Sequence, residues 1–301
     1  MKIKIKFLAV LLIVLVFYAC GESTVEIGQN TYSPKIVIEG YLYPGKKVEN
    51  IRITRNIPLN TQPDPADVVL YNADVKLTDL QDSKEYTLVF NPGKYSFEYN
   101  GSDLQIDYNK SYKLTVKAAI DGQNLTASSV TTVPKTGFKI LKDESFLDSM
   151  KYRETDNGGI VKQFKSPFTP SPETEYYAIS IVALDASFDN FIYDNPYMEI
   201  DRKDLEDDFD IYKYQFKWLQ NVNSYSSKID YNVEWLDVWF FGRYRMIIYA
   251  ADENYRLFAQ TYKNVQEFDG NFHEPRINIQ GDGIGIFGSM IADTVYFKVT
   301  K

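Results

Sequence analysis

The 301-residue sequence predicts a mostly all-β protein with two sandwich-like domains, the second of which carries one packed helix. Three observations predict this fold class. Short stretches along most of the chain alternate apolar and polar residues, which is the period of a half-buried strand. Tyr (24) and Phe (19) are abundant, and aromatic side chains suit a pleated, half-buried surface. A convincing helical period follows the N-terminal segment only near residues 253–267.

The chain begins with three lysines and a hydrophobic run at residues 7–19, which ends at the only cysteine, Cys20. Thirteen residues are too few for a comfortable membrane span, which needs roughly 20. A charged region, a short apolar region and a small residue before the cleavage site are typical of a secretory signal peptide. Ala19 followed by Cys20 resembles the lipobox of bacterial lipoproteins. We therefore predict a signal peptide over residues 1–19 and acyl chains such as palmitate on Cys20.

The box reads FYAC, with Phe17 and Tyr18 where the consensus prefers Leu and a small residue. An uncleaved membrane anchor, or an ordinary signal peptide with an incidental cysteine, is the alternative. Because one acyl chain anchors a protein only marginally, two or three chains are needed for stable attachment. We expect a lipid-anchored protein of the outer membrane. Glu22 and Glu26 are a weak version of an export signal, so the choice between its periplasmic and outer faces stays open.

A polar tether over residues 20–34 precedes the first predicted domain, residues 35–134. Six or seven short strands fall in about 100 residues, with a strong hairpin signal at Asp121-Gly122. This density is typical of an immunoglobulin-like or fibronectin-type-III-like sandwich. The domain has no Cys or Trp framework, which favours the fibronectin-like variant.

The second predicted domain, residues 135–301, is β-rich and contains the predicted helix. Asp252 is placed to cap that helix, and apolar residues recur at helical spacing after it. A hairpin bent at Gly242 precedes the helix, and two strands close the chain. The alternating pattern loosens between residues 190 and 230.

The charge balance excludes one class of partner. The net charge is −8, and removal of Lys2, Lys4 and Lys6 with the signal peptide changes it to −11. Nucleic acid requires a basic surface, so we predict no nucleic-acid binding. Anionic headgroups also repel such a protein, so attachment to the membrane depends on the lipid.

Metal ligands are scarce in this sequence. Zinc sites need three or four protein ligands, and only His273 and the lipid-bound Cys20 are offered. We therefore predict no cofactor and no zinc. His273 is the only histidine that could act as a base, and no nucleophile elbow accompanies it. The acidic run DRKDLEDDFD is a weak calcium candidate, although it lacks the EF-hand pattern, and a solvated loop or a frayed helix is commoner for such runs. Its candidate ligands are Asp201, Asp204, Asp207 and Asp208.

The string GIGIFG at residues 283–288 matches a dinucleotide-binding pattern by letters alone. That mechanism needs a following helix and a distant acidic residue, whereas the thirteen remaining residues resemble a strand. Glycines within a strand instead mark a bulge or a close backbone approach. We expect them to let Ile284, Ile286 and Phe287 reach the core.

Three tryptophans are the remaining candidates for binding. Trp218, Trp235 and Trp239, with their tyrosine neighbours, form a possible stacking surface for a sugar or a partner protein. The alternative is that they are core residues, since aromatic rings usually supply the core of a sandwich.

Several segments occur in an order that resembles one known family. These are the lipoprotein start, PKIVIEGYLYPGK, TVPK, EYYAISIVALD, YRLFAQTY and EPRINIQGDGIGIFG. The most specific positions are Pro275, Asn278, Ile279, Gly281, Gly285, Phe287 and Gly288. The chain is similar to the Bacteroidota lipoprotein family catalogued as domain of unknown function 4249. The resemblance implies no catalytic residues, and it implies a place beside TonB-dependent outer-membrane transporters.

Three functions follow from these observations. The first is a non-catalytic lipoprotein that binds or assists a TonB-dependent transporter. The second is a structural or adhesive surface protein built from β-sandwiches. The third is a glycan or peptide hydrolase, which needs a cleft holding two carboxylates, one of them with a raised pKa.

Overall fold

A computed structural model of the protein describes residues 32–58, 61–196, 199–262 and 277–301. Pro34–Lys301 belongs to a single unit. Its strands are β1 (Ile36–Leu42), β2 (Arg52–Arg55), β3 (Asp74–Asp79), β4 (Lys84–Asn91), β5 (Ser96–Glu98), β6 (Ser111–Ile120), β7 (Gln123–Thr132), β8 (Lys139–Ile140), β9 (Ser149–Lys151), β10 (Phe168–Thr169), β11 (Tyr177–Ala183), β12 (Tyr214–Leu219), β13 (Gly242–Ala251), β14 (Ile279–Gly281) and β15 (Gly283–Thr300). Its helices are α1 (Arg202–Asp207), α2 (Phe209–Lys213) and α3 (Glu253–Tyr262). The predicted mostly β, sandwich-like fold is confirmed.

One sheet has six antiparallel strands in the order β14-β7-β6-β3-β4-β5. Its longest hairpin joins β6 to β7 through Asp121 and Gly122, whose φ angles are 51° and 78°. Positive φ at both central positions is what the Asp-Gly signal predicts. Most of the sheet is therefore built from neighbours in sequence.

The second sheet has the strand order β12-β11-β13-β15-β1-β2, with β9 paired to the end of β15. Strand β15 replaces the two closing strands that the sequence predicts. Its residues 283–289 run parallel to β1, and its residues 290–299 run antiparallel to β13. The segments 35–134 and 135–301 thus share this sheet, and the domain boundary between them stays a prediction.

The first core lies between the six-stranded sheet and β1, β2 and the start of β15. Ile38 and Phe287 meet Val75 and Leu114 there, which completes a sandwich. Gly285 has φ +108°, and a Cβ on it would overlap the carbonyl oxygen of Ile38. A side chain there would therefore separate β1 from β15.

The predicted burial of the GIGIFG segment is partly correct. Ile286 and Phe287 are buried, whereas Ile284 is exposed. The alternating geometry of a strand places Ile284 on the opposite face from a residue such as Phe287.

The second core lies under β11, β13 and the end of β15. Here the predicted hairpin bent at Gly242 is wrong in its first arm, because Trp235–Asp237 is a 3-10 turn and the strand begins at Gly242. Val238, Trp239 and Phe240 are all buried in succession, so this segment does not alternate between two faces as a strand does.

The acidic segment, for which the sequence allows a solvated loop or a frayed helix, is partly helical. It forms α1, α2 and then the edge strand β12. Asp201 and Asp204 make a capping box at the start of α1, in which each side chain accepts a hydrogen bond from the other residue's backbone N–H. Within the described residues, no helix has the length and apolar character needed to span a bilayer.

Candidate functional site

Two of the predicted residues, Cys20 and His273, lie outside the described residues. Lipidation of Cys20 therefore stays a prediction. The predicted helix is described as far as Tyr262. Asp252 caps it as expected, because its carboxylate accepts a 2.9 Å hydrogen bond from the backbone N–H of Tyr255.

The structure separates the three tryptophans. Trp235 and Trp239 are only 3% and 4% exposed and belong to the second core. Trp235 donates a 2.7 Å hydrogen bond to the carbonyl of Lys162, and Trp239 stacks on Phe191. These two residues form no binding surface, because their rings fill the core. Trp218 is half-buried on the other side of the same sheet.

The calcium candidate finds no support in the described structure. Asp201 and Asp204 are occupied by helix capping, and Asp207 and Asp208 lie at the end of α1. No group of three or more His, Cys, Asp or Glu among the described residues is arranged to hold a metal ion. The separation of carboxylates along short helices explains this result, since calcium needs six to eight converging oxygens.

The seven-stranded sheet has an inner face, which covers both cores, and an outer face. The register places Trp218, Ala178 and Tyr249 in one row across β12, β11 and β13. Because alternate residues of a strand share a face, the neighbouring rows follow directly. The outer face includes Tyr41, Ala178, Ser180, Val182, Tyr214, Phe216, Trp218, Arg245, Ile247, Tyr249, Met290, Ala292, Thr294 and Tyr296, and it continues to charged residues such as Glu39, Arg243 and Lys298.

A small hollow opens on this outer face, with a volume of about 190 Å³. We call it the tyrosine hollow, and it is lined by Tyr41, Tyr43, Ser180, Phe216, Tyr249, Tyr255 and Met290. The ring centroids of Tyr41 and Tyr255 are 5.6 Å apart in an edge-to-face arrangement. Trp218 supports the wall, with centroid distances of 4.4 Å to Phe216 and 5.6 Å to Tyr255. Such packing fixes the rings in position.

The tyrosine hydroxyls of the hollow are not used by the protein. Within the described part of the chain, the hydroxyls of Tyr41, Tyr43, Tyr249 and Tyr255 have no hydrogen-bond partner. Burial raises the pKa of Tyr43 to about 12 and raises the pKa of Tyr41 further above the ordinary value. These hydroxyls therefore keep their protons and can donate as well as accept hydrogen bonds.

Unpaired cations lie beside the hollow. The Nε atom of Arg245 is buried and has no hydrogen-bond partner. Its neighbour Arg243, by contrast, pairs with Asp185 through Nε at 3.0 Å and a terminal nitrogen at 2.6 Å. Lys46 and Lys47 line an adjoining, larger hollow that shares Tyr41 and Tyr43 with the first.

A second cleft, of about 360 Å³, lies where Asp252 meets β7 and β15. The Asp252 carboxylate accepts hydrogen bonds from the Thr131 hydroxyl at 2.5 Å and from the backbone of Tyr255. Burial raises its pKa to about 6. Glu253 on the rim is paired with Arg256. The raised pKa thus has a structural cause, namely a capping carboxylate held inside the protein.

Analysis of the sequence named none of the five rings that line the hollow, and only Trp218, which supports its wall, was a candidate. Tyr41 and Tyr43 do alternate in GYLYP, which shows that they share one side of β1. The rings come from β1, β12, β13 and α3, so their meeting depends on the strand order. The parallel pairing of β1 with β15 has no local signal.

A family model described as a domain of unknown function (DUF4249) matches residues 22–294. No curated protein matches the chain. Solved structures give only weak similarity. The tetra-tandem repeat in the extending region of a large adhesion protein is 8% identical, covering 89% of this chain and 49% of that one, with a TM-score of 0.22.

Two other structures are similarly distant. A bacterial ice-binding adhesin is 12% identical with a TM-score of 0.22, covering 91% of this chain and 67% of that one. The chicken interferon gamma receptor alpha chain is 10% identical with a TM-score of 0.21, covering 84% and 99%. The present chain spans about half the length of the first of these three structures. TM-scores this low do not establish a shared fold.

Proposed function

The chain belongs to the family of domain of unknown function 4249, and on that premise we propose that it is an envelope-anchored, non-catalytic lipoprotein. It binds a ligand or partner as an accessory component of a TonB-dependent outer-membrane transporter. The sequence from Lys2 to Cys20 supports the anchor. Two or three acyl chains on Cys20 hold the protein on the outer membrane, since each buried CH₂ contributes about 0.8 kcal/mol.

The observation that carries the binding role is the tyrosine hollow on the outer face. Four hydroxyls of half-buried tyrosines border one small hollow without a hydrogen-bond partner in the described structure, and none of them is sealed from solvent. They are therefore open to the donors and acceptors of a ligand. Exposed aromatic rings continue beyond the hollow at Tyr214 and Tyr296. Aromatic residues and arginine are enriched at protein interfaces, so a partner subunit can use this face.

The acidic cleft supports a non-catalytic role. A carboxylate pair for hydrolysis must have one acid free to donate a proton and a second free to attack or activate water. Both oxygens of Asp252 are held by Thr131 and Tyr255. Glu253 and Glu173 are paired with Arg256 and Lys135. Glu175, the other glutamate of the cleft, is exposed and forms no ion pair with the described residues, so a single carboxylate is free there and the pair that hydrolysis needs is missing.

The anchor is tested by intact mass measurement on protein purified from its native membrane. We expect a chain that begins at Cys20 and carries two or three acyl groups. The Cys20→Ser variant should lose membrane attachment and leave the membrane fraction. An unmodified cysteine with an intact signal peptide would contradict the anchor.

The partner is tested by affinity purification of the full chain from outer membranes solubilised in detergent. We expect a TonB-dependent transporter to co-purify with the wild type. The Phe216→Ala variant should recover less transporter, and Tyr225→Ala, which removes an exposed ring elsewhere, should recover the wild-type amount. Purification without any transporter, or equal recovery with both variants, would contradict the proposed role of the outer face.

A further inference from the structure

We propose that the outer face binds an acidic oligosaccharide, with one sugar ring in the tyrosine hollow and the carboxylate of a hexuronic acid on Arg245. The inference rests on the proposed binding role, and it is independent of the lipid anchor and of the transporter. It names the chemical class of the ligand from the rings, hydroxyls and charges of this face.

The size of the hollow selects a single ring. Its volume of about 190 Å³ is below the roughly 300 to 1,000 Å³ of pockets for drug-sized ligands. Tyr43, Phe216 and Tyr249 surround it with aromatic surface. The C–H face of a sugar ring can lie on such surface, while its hydroxyls remain at the edges.

The polar groups select a ligand that is rich in hydroxyls. The hydroxyls of Tyr41, Tyr43, Tyr249 and Tyr255 have no partner among the described residues, and Ser180 adds a fifth at the hollow. Inside the hollow, an apolar side chain would displace water and leave these groups unpaired, which costs free energy. A partner subunit therefore contacts the exposed rings around the hollow, such as Tyr214 and Tyr296, and not its interior. A sugar ring replaces the water with hydroxyls that both donate and accept hydrogen bonds.

The charge beside the hollow selects an acid. Ser180 pairs with Ile247 across the sheet, and Arg245 lies two residues further along β13, about 7 Å away at the usual rise of a strand. Arg245 stands opposite Tyr296, which is 59% exposed. The Arg245 guanidinium forms no ion pair with the described residues, and a ligand carboxylate would supply the missing counter-ion.

The cations near the tyrosine hollow contrast with the net negative charge of the whole chain. The chain has a net charge of −8, so it repels acidic polymers elsewhere. Lys46 and Lys47 are exposed near the hollow, and neither forms an ion pair with the described residues. Two carboxylates line the same larger hollow, and both are paired, Glu39 with Arg52 and Glu49 with Lys94. Lys46 and Lys47 favour a ligand with several carboxylates along its length.

The test is isothermal titration of the full chain in a detergent without a sugar headgroup. The ligands are an oligogalacturonate, an oligoglucuronate and the methyl ester of each, which keeps the rings but removes the charge. We expect at least one free acid to bind and its ester to bind at least about tenfold more weakly, as loss of a charge-assisted hydrogen bond predicts.

Variants then assign the binding to this face. Arg245→Gln should weaken the acid at least about tenfold and abolish the difference between acid and ester. Tyr249→Phe should weaken acid and ester alike, because it removes one hydroxyl and keeps the ring. Lys117→Gln, on the other sheet, is the control for lost charge and should bind like the wild type.

Three results would overturn the inference. They are absence of binding to both free acids, wild-type binding by Arg245→Gln, and displacement by a polyglutamate peptide that binds more tightly than either acid. Recovery of a transporter in the purification experiment, together with no binding to the free acids, would reject this inference and leave the proposed function standing. Binding of the acids, with no transporter recovered in the purification, would reject the transporter role and leave this inference standing.

Discussion

The two faces of the seven-stranded sheet use the same residue types in opposite ways. On the inner face, the hydroxyl of Tyr244 accepts a hydrogen bond from the backbone N–H of Phe240 at 2.8 Å and donates one to its carbonyl at 2.7 Å. The hydroxyl of Tyr177 accepts from the backbone of Ser171. On the outer face, Tyr41 and Tyr249 have no such partner in the described structure. In these examples, the satisfied hydroxyls belong to tyrosines that hold the fold, and the outer hydroxyls are open to a ligand. A missing partner alone is not sufficient, because the core residue Tyr231 also has a buried hydroxyl with no partner among the described residues.

The comparison also separates charged residues that lie only two positions apart on β13. Arg243 is neutralised by Asp185, whose pKa is lowered to about 2 by that contact. Arg245 has no counter-ion among the described residues. Arg243 is thus held in the fold by its ion pair with Asp185. Arg245 can still form an ion pair with a ligand.

The largest expected effect comes from truncating one phenylalanine on each face. Phe297 is 3% exposed and stacks on Tyr244 at 4.9 Å, whereas Phe216 is 46% exposed. Phe297→Ala should lower the free energy of unfolding by about 3 to 5 kcal/mol, because it leaves a cavity in the core. Phe216→Ala should lower it by about 1 kcal/mol or less. Denaturant unfolding measures both, and equal losses would show that the outer face is part of the core.

The next effect is a dependence of stability on pH. The pKa of Asp252 is raised by burial from 3.8 to about 6, so the folded protein holds this proton more tightly than the unfolded chain. Its contribution is fully present below about pH 3.8 and is lost as the pH rises to about 6. The loss is about 3 kcal/mol, given about 1.4 kcal/mol for each pKa unit.

Asp252→Asn removes this titration. The stability of the variant relative to wild type should therefore increase by about 3 kcal/mol between pH 4 and pH 7. Asp64→Asn is the control, because Asp64 is an exposed aspartate that caps a 3-10 turn. Unfolding at several pH values gives the difference directly. If the difference in the free energy of unfolding between Asp252→Asn and wild type stays constant across this pH range, the pKa of Asp252 is not raised by folding.

The smallest effect distinguishes single hydroxyls. Tyr244→Phe leaves the backbone N–H and carbonyl of Phe240 without their partner, which should cost about 1 to 3 kcal/mol. Tyr249→Phe should change the free energy of unfolding by less than about 0.5 kcal/mol. Thermal unfolding of Tyr244→Phe and Tyr249→Phe, each compared with wild type, tests these two predictions. A larger loss for Tyr249→Phe would mean that its hydroxyl has a structural role.

Local patterns predicted much of the fold. The alternation in SYKLTVKAAI and the Asp-Gly turn after it gave β6, its hairpin and β7, because a hairpin depends on neighbours in sequence. Asp252 was placed correctly as a helix cap for the same reason. For the short helices α1 and α2, the sequence could not decide between a solvated loop and a frayed helix, since a helix of one or two turns shows little of the 3.6-residue period.

The candidate site could not be predicted in the same way. Alternation shows that Tyr41 and Tyr43 share a face, but it does not show which strand lies beside β1. That neighbour is β15, more than 200 residues later and in parallel register. Trp218 was predicted among the possible binding residues together with Trp235 and Trp239, because composition does not distinguish the two faces of a sheet. Only the strand order separates these three rings.

The three tryptophans allow the most direct test of the claim that the outer face is the binding face. The full chain labelled with 5-fluorotryptophan gives one fluorine resonance for each of Trp218, Trp235 and Trp239. Addition of the oligouronate that binds should shift the resonance of Trp218, which supports the wall of the hollow, and leave the two core resonances in place. An unchanged Trp218 resonance under saturating ligand, or shifts confined to Trp235 and Trp239, would contradict the account.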